Sequence, residues 1–130
     1  MSPVAWQRIE GAAMCVAAIP LAAMTQPGWP LWVWPLALLA PDLSMLGYLA
    51  GPRIGAAIYN LFHLYAGGML LALIGLLVGQ PALIAVGAFW LTHVGADRAL
   101  GFGLKYEIGF RTTHLGGKDP ASGQEFSQKK

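Results

Sequence analysis

The chain has 130 residues, enough for one compact domain, of which 56% are hydrophobic and only 11% charged, with a formal net charge of +2. A water-soluble domain carries about 25% charged residues, yet between Gly11 and Leu104 this chain holds only Asp42, Arg53, Asp97 and Arg98. That excludes a soluble fold and assigns the chain to a bilayer, while the scattered basic residues exclude a nucleic-acid partner and the lone Cys15 excludes a disulfide or a CxxC zinc site.

In chain order, Arg8 precedes an apolar run starting at Gly11. The sequence that follows is equally apolar, so the run reads as a retained first span rather than a signal peptide. Residues 11–41 and 54–96 carry no charge, and each stretch exceeds the roughly 20 residues one span needs. Pro27-Gly28-Trp29-Pro30 interrupts the first stretch, Gly79-Gln80-Pro81 the second, and Gly51-Pro52-Arg53 separates them. These breaks predict four helices near 5–25, 31–50, 54–78 and 82–103, so residues 1–103 read as an antiparallel four-helix bundle of the all-α class. The loops at 25–31 and 79–81 lack Lys and Arg, and all eight basic residues lie on or near the opposite side. Both termini are therefore expected in the cytoplasm. Trp29, Trp32 and Trp34 suit the far headgroup layer. No motif recurs between the two halves, so an inverted repeat is not supported. Residues 104–118 read as an interfacial segment able to close the cytoplasmic mouth, and 119–130 as a mobile polar tail.

The polar residues agree in depth. Asp42 lies ten residues before Pro52 and His63 eleven after it, which places both about 15 Å from that turn. His93, ten residues before Gly103, sits at a similar level. Glu10, Asn60 and Asp97 lie nearer the mouth. His93 and Asp97 share a helix face at i, i+4, and Asn60 and His63 at i, i+3. Since a carboxylate in lipid must be neutralised, paired or wetted, Asp42, His63, His93 and Asp97 are expected to turn inward around a polar cavity open to the cytoplasm.

Four uses of that cavity remain open. Two imidazoles with carboxylates suit Zn²⁺ or Fe²⁺, with Asp42, Asp97 and Glu10 as candidate catalytic groups. The same groups could relay protons, or His63 and His93 could clamp a haem iron. They could also only tie helices together or assemble a partner. Asn60, Arg98, Tyr106 and His114 are candidate lining residues. Arg98 either snorkels to the headgroups or anchors a small anionic ligand, such as a phosphate or lipid head, at the mouth.

These residues carry a resemblance. The stretches Arg8-Ile9-Glu10-Gly11, Pro41-Asp42-Leu43-Ser44-Met45-Leu46-Gly47-Tyr48, Asn60-Leu61-Phe62-His63, His93-Val94-Gly95-Ala96-Asp97-Arg98, Gly103-Leu104-Lys105-Tyr106 and Phe110 to Gly116 resemble a family of small bacterial membrane proteins catalogued as domain of unknown function 4260. The resemblance covers roughly residues 6–116 and implies a four-helix protein of the bacterial cytoplasmic (inner) membrane without implying an activity. Pro41-Asp42 is also similar to the Pro-Asp element of membrane-bound metal-dependent hydrolases, a likeness of two residues.

Overall fold

The computed structural model describes residues 1–116. They are all-helical: α1 (Pro3–Thr25), α2 (Val33–Leu39) running into a 3-10 segment (Ala40–Ala50), α3 (Pro52–Phe62), α4 (Tyr65–Val78) and α5 (Pro81–Leu100). Among the described residues there is no strand, only isolated bridges joining Lys105 to Thr113 and Thr113 to Gly116. Among the described residues two helical runs, Pro3–Thr25 and Val33–Ala50, are long and apolar enough to cross a membrane, and α3 and α4 pass the same test only when the bent pair is counted as one span. The outside is apolar to match, with Val16, Leu49 and Leu77 at 70%, 87% and 76% exposure. Residues 119–130, expected to form a polar tail, lie outside the described residues.

Local chemistry sets the ends. Ser2 accepts the Ala5 N–H at 3.2 Å and Pro3 occupies the first turn of α1, where its missing donor costs nothing. Gly101 ends α5 in the left-handed region at φ 95°, which lets Phe102 N–H reach back to Asp97 O at 2.7 Å.

α5 is the central helix, buried over most of its length and packed against α1 on one side and α4 on the other. Small residues make both approaches possible. A Cβ on Gly95 would stand 2.7 Å from Gly11 O, and one on Gly87 would stand 2.6 Å from Gly68 O. At the end away from the polar residues, Ala22, Ala85, Ala88 and Phe89 form an apolar cluster under Trp29 and Trp34. The Trp34 ring meets Phe89 edge-on with centroids 5.3 Å apart.

Two of the expected helices are not continuous α-helix. The second tightens to 3-10 geometry from Ala40, and the sequence fits three residues per turn. Leu43, Leu46 and Leu49 fall on one exposed face, Pro41 and Ser44 on a buried one, and Asp42, Met45 and Tyr48 on the third. The third breaks after Phe62, where Leu64 is extended (φ −89°, ψ 141°), and the chain bends by 41° before α4. Such a break frees carbonyls that lipid cannot satisfy. α5 supplies the donors: Trp90 Nε1–H reaches Phe62 O at 2.7 Å, and Arg98 Nη2–H reaches His63 O at 3.1 Å.

After α5 the chain folds back onto α3. The Asn60 side-chain amide pairs with the backbone of Lys105, donating to its carbonyl at 2.8 Å and accepting its N–H at 2.6 Å. Within this segment Tyr106 N–H donates to Thr112 O, and His114 N–H to Leu104 O.

Candidate metal centre

The helix break brings His63 to the point where the 3-10 segment starts and α5 passes. Asp42 Oδ1, His63 Nε2, His93 Nε2 and Asp97 Oδ2 converge there, all within 4.8 Å of one another. His63 Nε2 lies 3.4 Å from Asp42, 3.5 Å from Asp97 and 3.3 Å from His93 Nε2. His93 Nε2 lies 3.3 Å from Asp42 and 3.7 Å from Asp97. A regular tetrahedron with metal–ligand bonds of about 2.05 Å has edges of about 3.35 Å; these five separations are near that length, and the sixth, Asp42 to Asp97, lies within 4.8 Å. The histidines are buried, whereas the side chains of Asp42 and Asp97 keep 34% and 18% exposure.

Tyr59 sets the orientation of two ligands. Its carbonyl lies 2.9 Å from His63 Nδ1. A carbonyl only accepts, so the ring proton is on Nδ1 and neutral His63 turns the Nε2 lone pair toward the other three groups. The Tyr59 ring stacks on the imidazole at 3.7 Å, and its hydroxyl donates to Asp97 Oδ2 at 3.4 Å. A second hydrogen bond on the far nitrogen is the usual support of a metal-bound histidine. Neutral imidazoles and two carboxylates leave two negative charges at this depth, which one divalent cation cancels.

The arrangement disfavours two of the sequence-based alternatives. A bis-histidine haem needs a flat slot between the imidazoles, but the carboxylate oxygens of Asp42 and Asp97 occupy the space beside both Nε2 atoms. A proton path would have to continue past the apolar cluster around Phe89.

A cavity of about 220 Å³ opens on the carboxylate side, bounded by Asp42, Tyr59, Asp97, Phe102, Lys105 and Phe110, with neither histidine in its wall. The Lys105 ammonium stands 4.6 Å from the Tyr59 ring and 3.9 Å from the Phe110 ring and donates to Phe110 O at 2.9 Å. Burial pushes its pKa below the usual lysine value, against the opposing pull of Asp97 and Asp42.

The remaining candidates go elsewhere. Glu10, grouped above with Asp42 and Asp97 as a candidate catalytic group, is not brought to the cluster. It lines a separate 110 Å³ recess with Gln7, Tyr65, Arg98 and His114. Consecutive residues on a helix point about 100° apart, so Asp97 and Arg98 face different neighbours, and Arg98 is the one that stands against Gly11 of α1. Arg98 does not reach out to the surface. It is buried and donates to His63 O and Phe102 O. Asn60 holds the Lys105 backbone rather than lining the cluster, and Tyr106 belongs to the folded-back segment. His114 Nδ1 accepts the Leu104 N–H at 2.8 Å. Burial, with the nearby Arg98 charge, lowers its pKa and keeps it in the neutral form that acceptance requires. Sequence reasoning passed over Tyr59, although its position four residues before His63 puts its carbonyl within reach of that ring.

No curated protein and no solved structure significantly matches this chain. The family pattern described as a domain of unknown function (DUF4260) does match, over residues 4–117. An all-helical chain of this apolarity, with a buried Asp/His cluster fit to hold a metal, thus belongs to the DUF4260 family.

Proposed function

We propose that this protein is a membrane-embedded metalloprotein in which Asp42, His63, His93 and Asp97 hold one Zn²⁺ or Fe²⁺ ion and whose open carboxylate side supports metal-assisted hydrolysis. The observation that carries the reading is the set of five donor–donor distances of 3.3–3.7 Å, close to tetrahedral edges. With one of the two carboxylates yielding its position to water or substrate, a divalent ion there would polarise a substrate oxygen and acidify a bound water. Tyr59 would hold His63 and Asp97 in place, and the cavity over the carboxylates would admit substrate.

The distribution of basic residues supports a four-unit antiparallel bundle in the cytoplasmic (inner) membrane of a bacterium. Its units are α1, α2 with the 3-10 segment, the broken α3–α4 pair, and α5. Both termini and the cavity would then face the cytoplasm, with residues 104–118 closing the mouth.

Elemental analysis of the detergent-purified protein tests the metal. The expected result is about one equivalent of zinc or iron, lost in His63→Ala and His93→Ala. Metal-free protein that takes up neither Zn²⁺, Fe²⁺ nor Co²⁺, with both variants merely less stable, would reduce the cluster to helix packing.

A further inference from the structure

Lys105 lines the cavity together with Asp42 and Asp97. Its backbone is already held by Asn60, so anchoring the segment does not need the ammonium. The ammonium lies over two aromatic faces and donates to one carbonyl. Among the described residues no carboxylate approaches its Nζ within 4.0 Å, although Arg53 on the surface finds Glu107 at 3.0 Å. The counter-charges of Lys105 are the Asp42 and Asp97 carboxylates across the cavity, and a metal ion that neutralised them would leave the buried ammonium without one, which is costly unless an anion visits it.

The charge of the cavity says what would visit. The side chains around it include two carboxylates and one ammonium, Met45 and the aromatic rings being neutral. Adding a divalent ion at the Asp/His cluster cancels the carboxylates and leaves one positive charge, that of Lys105. The walls are otherwise apolar, and Phe102 and Phe110 are 54% and 46% exposed on the outer surface, next to Ile108 at 56%. With the ion bound, a molecule entering past these rings would go from an apolar exterior to a positive interior. Arg98, which does not line this cavity, donates to His63 O and Phe102 O.

We infer that the cavity between the Asp42–Asp97 edge and Lys105 binds an amphiphile whose head is an oxyanion of single negative charge, the head lying between the ammonium and the metal site and the chain leaving past Phe102 and Phe110. This rests on the proposed metal centre and adds its substrate class.

The test uses full-length protein loaded with Co²⁺ in dodecyl maltoside micelles, its cobalt content measured on the same sample. The readout is paramagnetic relaxation of phosphorus in phosphatidylglycerol, phosphatidylcholine or inorganic phosphate. Phosphatidylglycerol is expected to relax fastest, and Lys105→Gln to weaken its binding about tenfold or more, as loss of a charge-assisted contact implies. Lys105→Arg should retain binding. Both variants should keep full cobalt, since neither alters a ligand. Equal relaxation of phosphatidylcholine, a stronger effect on inorganic phosphate, or indifference to Lys105→Gln in cobalt-loaded protein would overturn the inference while leaving the metal centre standing. Failure of the parent protein to take up cobalt would overturn the centre and the inference with it.

Discussion

Tyr59 does three jobs from one position: its carbonyl fixes the His63 tautomer, its ring packs on the imidazole, and its hydroxyl reaches Asp97. Only the last depends on the hydroxyl. Tyr59→Phe should therefore fold normally yet bind metal about tenfold more weakly, the usual cost of losing a support to a ligand. Competition against a chromophoric chelator measures this, and unchanged affinity would remove the hydroxyl from the account. Asp42 and Asp97 differ from the histidines in remaining partly exposed.

At the scale of elements, the break between α3 and α4 stands out because an interrupted helix inside a membrane needs donors from elsewhere. α5 provides two, Trp90 and Arg98, so the helix that carries His93 and Asp97 also stabilises the kink that presents His63. Arg98→Met would retain most of the packing volume and orphan His63 O and Phe102 O. A buried polar group without its partner costs about 1–3 kcal/mol, so the expected destabilisation is about 3 kcal/mol, read from unfolding in detergent. Metal affinity should fall with it, because the position of His63 depends on that carbonyl. The 3-10 segment has a comparable role: three residues per turn bring Asp42, Met45 and Tyr48 to one side, where Tyr48 meets Phe110 of the folded-back segment with centroids 5.2 Å apart.

For the molecule as a whole, the four ligands come from three separate parts of the chain: the 3-10 segment, the kink, and α5. An ion joining them would act as a crosslink, binding the folded state and not the unfolded one. Metal at a thousand times its dissociation constant stabilises a protein by about 4 kcal/mol. Chelation should accordingly lower the unfolding temperature of the parent protein in detergent, and His93→Ala should show no response to chelator. An equal response in both would mean that the ion acts elsewhere. The two close helix contacts, Gly11 with Gly95 and Gly68 with Gly87, leave α5 little freedom to shift, so loss of the ion should loosen the kink before the α1–α5 pair.

The membrane character, the turns and the four converging Asp and His side chains were legible in the residues themselves, because charge scarcity, helix breakers and distance from a turn are local, additive quantities. Asp42, His63 and His93 count out to one level on helices of known rise, and a bilayer drives such groups together. What only the tertiary structure decided is direction. The apolar pattern of residues 54–78 contains no Pro at the break, so the kink after Phe62 depends on donors nearly thirty or more residues away along the chain. Arg98 was ambiguous for the same reason: a lone cation in an apolar sequence is equally suited to a headgroup or a ligand until the carbonyl that claims it is in view. Glu10 shares the polar end of the bundle with the cluster, but α5 separates them, since adjacent residues on one helix face different neighbours. Level along the membrane normal follows from counting. Which faces meet depends on how backbones pack and where their unpaired carbonyls find donors.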